Sequence, residues 1–129
     1  MPARILIVQN HDRGQQLVAD GLEKHGYHVV LAFNGEHGIE LAQKEHFDLI
    51  LCDIRMPGMD GYEVVRRLKS TPSCSQTPLI SIASLTWHGN HEQMTAAGFD
   101  GYISKGAAPQ RFIQAVDEFL SSWERLDLY

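Results

Sequence analysis

Two of the chain's apolar runs end on a charged residue. Asp53 follows Phe47-Asp48-Leu49-Ile50-Leu51-Cys52, the most apolar run of all, and Lys105 follows Gly101-Tyr102-Ile103-Ser104. A carboxylate and an ammonium brought together at strand ends form either a plain ion pair or a place that handles an anionic group such as phosphate. Asp53 alone has a blander reading as a turn or capping carboxylate. The remaining reactive residue types are dispersed. Seven histidines are scattered; His88 and His91 stand three apart near a helix start, with no Cys or carboxylate to complete a zinc set. Cys52 lies inside an apolar run and Cys74 in a Ser/Pro/Thr-rich loop. They form no CxxC, and both read as reduced thiols of a cytoplasmic protein.

Five apolar runs are candidates for strands: Ile5-Leu6-Ile7-Val8, His28-Val29-Val30-Leu31-Ala32, the run ending at Cys52, Leu79-Ile80-Ser81-Ile82-Ala83, and Gly101 to Ser104. A helical pattern follows each one. The first carries Leu17, Val18, Gly21 and Leu22 on one side and is closed by Gly26. The second follows an Asn34-Gly35 turn and runs through Ile39, Leu41 and Ala42. The third spans Tyr62 to Lys69, capped by Asp60. The fourth ends near Ala97 at Gly98. The last starts at Pro109 and carries Phe112, Ile113, Val116, Phe119 and Leu120 at helical spacing, with Trp123 beyond them as a packing residue.

Strand and helix alternate five times, which predicts an α/β fold with a parallel sheet and helices on both faces. In open sheets of this kind ligands bind outside the carboxyl ends of the strands. Gln9 and Asn10 after the first strand, Asp53 after the third, Ala83 and Ser84 after the fourth and Lys105 after the fifth should therefore line one crevice. No Ser/Thr-rich phosphate loop follows the first strand, where the chain reads Gln9-Asn10-His11-Asp12-Arg13. That disfavours a flavodoxin-like electron carrier. The crevice offers no nucleophile–base pair beyond Asp53, so an independent enzyme is not expected.

With 129 residues, 43% of them hydrophobic and 21% charged, the chain is long enough to bury a core as one domain without disulfides or metal. Its net charge of −5 argues against a basic face for nucleic acid. No apolar run reaches membrane-spanning length, and the short run after Arg4 is too brief for a signal-peptide core. A cytoplasmic location is expected.

Two longer segments resemble the receiver domains of bacterial response regulators. Asp53-Ile54-Arg55-Met56-Pro57-Gly58-Met59-Asp60-Gly61 is similar to the segment that carries that family's phosphoacceptor. Ala97-Gly98-Phe99-Asp100-Gly101-Tyr102-Ile103-Ser104-Lys105 is similar to the segment that ends in its lysine. The Arg4 to Val8 strand and Gly26-Tyr27-His28-Val29-Val30 fit as well, so the resemblance covers about residues 4 to 120 of a single domain, 1–129. It implies the flavodoxin-like five-stranded sheet, order 2-1-3-4-5, with five helices.

The resemblance also implies a chemistry. In the family an aspartate takes a phosphoryl group from a histidine kinase, aided by Mg²⁺ held by acidic residues, by the acceptor and by a backbone carbonyl. A lysine and a Ser or Thr hydroxyl bond the phosphoryl oxygens, and an aromatic on the fifth strand responds. Carried over residue by residue, Asp53 is the acceptor, Lys105 the lysine, Tyr102 the aromatic and the Arg55 carbonyl a metal ligand. Three positions depart. Gln9 and Asn10 stand where the acidic pair belongs, Ala83 stands where the hydroxyl belongs, and Gly106 stands where a proline would follow the lysine.

Asp53 and Lys105 sum to zero charge, so weak Mg²⁺ binding is expected. Asp12 is a substitute ligand only if it leaves a capping role. Alanine cannot make the switching hydrogen bond. Ser84 could replace it only if the strand end shifted by one residue, because neighbouring strand residues point to opposite faces. The expected function is therefore two-component signalling by an atypical receiver, a pseudo-receiver that contacts partners with weak or no phosphorylation at Asp53. The alternative is an ordinary phosphorylatable regulator. Partners, a histidine kinase or another signalling protein, would meet the face of the fourth helix, fifth strand and fifth helix, which could also form a homodimer. Trp87 and His88 beside the crevice are further candidate contacts. Only Ser121 to Tyr129 follow the last helical pattern, so no output domain is expected within this sequence.

Overall fold

The computed structural model describes residues 2–9, 13–83, 91–104 and 108–127, with 13, 14, 91 and 122–127 described by their backbone only. Five strands, β1 (Arg4–Val8), β2 (His28–Ala32), β3 (Leu49–Asp53), β4 (Leu79–Ala83) and β5 (Gly101–Ser104), alternate with α1 (Arg13–Lys24), α2 (Gly35–Lys44), α3 (Gly61–Lys69), α4 (His91–Ala97) and α5 (Pro109–Asp127). All pairings are parallel, in the order β2-β1-β3-β4-β5. This is the parallel sheet that the alternation predicts, in the flavodoxin-like order that the resemblance implies.

The continuous apolar runs follow from cover on both faces. Leu6, Val8, Ile50, Cys52, Leu79 and Ala83 pack with α2, α3 and α4 through Ile39, Ala42, Val64, Val65, Leu68 and Met94. Ile5, Ile7, Leu49, Leu51, Ile80, Ile82 and Ile103 pack with α1 and α5 through Leu22, Phe112 and Val116. Strands β1 to β4 thus divide their residues between two cores with the period of two that an extended chain imposes, and β5 gives Ile103 to the second.

Helix ends follow local chemistry. Asn34 Oδ1 accepts from His37 N at 2.8 Å and Asp60 Oδ1 from Glu63 N at 3.0 Å, so both are N-caps. Gly26 and Gly98 stand just past α1 and α4 at φ 101° and 121°, in the left-handed region that a helix-closing residue takes.

Two local expectations fail for physical reasons. Asn34-Gly35 is not a free-standing turn, because Gly35 is the first helical residue of α2. It is small because it packs close to α3: a Cβ there would lie 2.8 Å from Val64 Cγ2. Leu17 does not belong to the buried side of α1; it is 60% exposed. The inward stripe is Gln15, Val18, Ala19 and Leu22, the i, i+3, i+4, i+7 set, and a polar residue occupies its first place.

Candidate functional site

Asp53 is the last residue of β3, in register with Ile82 of β4, and only 2% exposed. Its Oδ1 accepts from Arg55 N at 3.1 Å, which turns the first residues of the following loop back over the carboxylate. That loop is fixed at both ends. Ile54 N donates to Ile82 O at 3.1 Å, and Gly61 N donates to Ile54 O at 2.9 Å. The return contact is so close that a Cβ on Gly61 would lie 2.4 Å from Asp53 O and 2.8 Å from Ile54 Cα. Gly61 is thus the residue that lets α3 start directly under the acceptor position. Beside it lies a groove of about 420 Å³ lined by Ile54, Arg55, Met56, Pro57, Asp60 and Tyr62.

Gln9 follows β1 and is buried. Its N–H donates to Ala32 O at 3.0 Å, and its carbonyl accepts from Gln15 Nε2 at 3.2 Å. Gln15, in the inward stripe of α1, therefore steadies the backbone at the end of β1. Composition alone hides that role, because a buried glutamine is read as surface until its partner is seen. Ala83 ends β4, buried and paired in register with Ser104 of β5. Ser84, the other candidate for the hydroxyl, lies outside the described residues. Tyr102 pairs with Ser81 and is 47% exposed, facing out from β5.

The fold therefore gathers Gln9, Asp53, Ala83 and the end of β5 at one edge of the sheet. Asn10, Asp12, Ser84, Trp87, His88, Lys105 and Gly106 lie outside the described residues, and so does the expected reach between Asp53 and Lys105.

The electrostatics separate the acceptor position from its neighbour. Cys52 is fully buried, and burial, followed by the Asp53 and Asp60 charges, holds its thiol far above the ordinary range. Its Sγ rests 3.5 Å from Asp53 O. A thiol kept protonated is a poor nucleophile, so Cys52 is a packing residue beside a carboxylate. Cys74 is buried as well, its Sγ 3.3 Å from Ala42 O. Burial, then Asp60, also raises the Tyr62 phenol. The Tyr62 ring meets Phe99 edge-on at 6.3 Å and ties α3 to the approach to β5.

These features define a receiver: a 2-1-3-4-5 parallel sheet with a buried aspartate at the end of its third strand. The family model of the response regulator receiver domain matches residues 5–117, and the chain belongs to that family. It is 32% identical over 120 residues to the polar-differentiation response regulator DivK of Brucella anthropi, covering 93% of this chain and 98% of the relative. Among solved structures it is similar to the chemotaxis protein CheY4 of Vibrio cholerae, with a TM-score of 0.86, 27% identity, and 92% and 98% of the two chains covered. It is also similar to the receiver domain of the sensor histidine kinase PA1611 of Pseudomonas aeruginosa, with a TM-score of 0.82, 25% identity, and 95% and 98% covered. That domain carries a magnesium ion coordinated in its active-site cleft. The chain is thus a signalling regulator of two-component type rather than an enzyme. No helix among its described residues is long and apolar enough to cross a membrane.

Proposed function

We propose that this receiver acts by protein contact, with Mg²⁺-dependent phosphorylation at Asp53 weak or absent. The observation that supports this reading is the donor set at the strand ends. Buried Gln9 stands at the end of β1 where an acidic residue would serve a metal, and Ala83 ends β4 where a hydroxyl would meet a phosphoryl oxygen. Asp53 keeps the phosphoacceptor place, and Lys105 the place of the lysine that pairs with phosphate or with Asp53. The available metal ligands are the Asp53 carboxylate, the Arg55 backbone carbonyl and the amide oxygens of Gln9 and Asn10. One carboxylate among neutral donors fits Mg²⁺ poorly. Two missing charges weaken binding by several kcal/mol, taking an effective dielectric near 20.

Partners on this reading are a histidine kinase or another signalling protein. They meet the face of α4, β5 and α5, where Met94, Thr95, Phe99, Asp100, Gly101 and Tyr102 line a groove of about 390 Å³. The same face is the candidate homodimer surface; neither nucleic acid nor membrane enters. The 129 residues act as one cytoplasmic receiver domain with its core at about 4–120.

A second reading, an ordinary receiver loaded by a kinase, draws support from the buried Asp53 and from relatives such as DivK. Incubation with acetyl phosphate and Mg²⁺, followed by intact mass, separates the two. Little phosphoryl adduct on the wild-type chain supports the contact reading. A stoichiometric adduct that disappears in Asp53→Asn establishes the second.

A further inference from the structure

Two Phe-Asp pairs stand just before a strand, Phe47-Asp48 before β3 and Phe99-Asp100 before β5, and both phenylalanines are buried. The two aspartates are built alike. Asp48 N donates to Arg4 O at 2.8 Å, and Asp48 Oδ2 accepts from Arg4 N at 2.7 Å. Asp100 N donates to Leu79 O at 2.7 Å, and Asp100 Oδ2 accepts from Leu79 N at 2.8 Å. In each case the partner is the first residue of the neighbouring strand, β1 or β4. The carboxylate stands in for a ladder carbonyl as the acceptor of that N–H. Each aspartate thus closes a two-bond clamp across the foot of a strand pair.

The strands behind the two clamps differ. All five residues of β3 are buried, and Leu49 to Cys52 are divided between the two cores. Packing on both faces holds β3 with or without its clamp. β5 is an edge strand of four residues that gives the cores one of them, Ile103, while Tyr102 faces out. The Asp100 clamp is also the more elaborate. Lys69 Nζ donates to Asp100 Oδ2 at 3.2 Å and lies 3.3 Å from Thr77 O, which draws the end of α3 to the foot of β5. Leu79 is fully buried, so without the carboxylate its N–H has no water to turn to. In the sequence Lys105 follows β5 directly, five residues on from Asp100.

We infer that Asp100 is the positioning residue of β5: through the N–H of Leu79 its carboxylate holds the foot of the edge strand against β4, and so sets where β5 presents Tyr102 and leads the chain into Lys105. Asp48 is the same device on a strand that packing already fixes, so it adds stability without positioning β3. The inference holds whether or not Asp53 takes phosphate.

The test is amide hydrogen exchange of the full chain, followed residue by residue by NMR in Asp100→Ala and Asp48→Ala, with a thermal melt of each. Both variants should lose stability. Asp100→Ala should in addition speed exchange across Gly101–Ser104 at least about fivefold beyond any rise in β1 and β3, the worth of one hydrogen bond. Asp48→Ala should speed exchange in β3 no more than in the rest of the sheet. Asp100→Asn keeps a side-chain oxygen for Leu79 N and should restore the protection of β5. Lys69→Met removes the ion pair, keeps the clamp and should leave that protection in place. A merely structural role raises exchange evenly through the sheet. An even rise in Asp100→Ala, or a variant that does not fold, therefore overturns the inference. So does an Asp100→Asn or Lys69→Met chain as loose in β5 as Asp100→Ala, because charge rather than the clamp would then hold the strand. Selective loosening of β3 in Asp48→Ala overturns the contrast between the two clamps.

Discussion

Replacing Gly61 with alanine tests whether the turn after the acceptor position is built on the absence of a side chain. The new Cβ would lie 2.4 Å from Asp53 O and 2.8 Å from Ile54 Cα. Ordinary carbon contacts are about 3.5–4.0 Å, so the turn must open by roughly 1 Å. Both obstructing atoms are main chain, and no rotamer change can move them. Opening also strains the Gly61 N to Ile54 O bond of 2.9 Å, which holds α3 under the loop. Overpacking of this kind costs about 1–3 kcal/mol, and a weakened hydrogen bond adds up to about 1 kcal/mol. Alanine returns about 0.5–1 kcal/mol by restricting the unfolded chain. Central values leave a destabilisation of about 2 kcal/mol. At roughly 4 °C per kcal/mol for a domain of this size, Tm should fall by about 8 °C. Paired thermal melts by circular dichroism measure it. An unchanged or raised Tm would refute the reasoning, since it would mean that the turn has room and that backbone entropy decides the sign.

The other predictions concern charge and thiols. Aspartate at both Gln9 and Asn10 should tighten Mg²⁺ binding at least about tenfold in calorimetric titration, because restored charges at contact are each worth more than that even at an effective dielectric near 20. Unchanged affinity would mean that another ligand already completes the set. Cys52 and Cys74 should both resist a thiol reagent in mildly alkaline buffer and react fully in denaturant. Because the folded state raises the Cys52 pKa, it holds that proton to higher pH than the unfolded chain. Stability should therefore be unaffected below the ordinary thiol pKa of about 8.5 and fall as pH rises above it. Rapid labelling of the native chain would contradict this account.

The sheet was legible because its central strands are short and apolar on both sides and alternate with helical patterns, as a covered parallel sheet requires. Asp60 as a cap and Gly98 as a helix stop were legible for the same local reasons. Leu17 and Gln15 were not. They are two positions apart on one helix, and the sequence puts the apolar residue outside and the polar one inside. Only the carbonyl of Gln9, 3.2 Å from Gln15 Nε2, explains the inversion. Gly35 was misjudged because an Asn-Gly pair suits a turn as well as it suits a cap followed by a close helix contact. At the site, motif spacing located Asp53 and Ala83. The closeness of Gly61 to the Asp53 backbone is a three-dimensional fact with no local signal.

The departures from the family pattern act on different steps. Gln9 and Asn10 bear on whether Asp53 can be loaded, through the charge available to a divalent ion. Ala83 bears on whether loading is felt. A bound group shifts an equilibrium only by its differential affinity for the two states. Without a hydroxyl at the end of β4, a phosphoryl group on Asp53 loses the β4 contact through which one state would be preferred. Restored charges alone would then give a chain that accepts phosphate without answering to it. The exposed Tyr102 lies on the far side of Ala83 from Asp53, one strand further out, so the surface it offers does not depend on a group at Asp53 reaching it through β4. That ordering of strands is why a contact-driven receiver is physically consistent with an intact, buried aspartate.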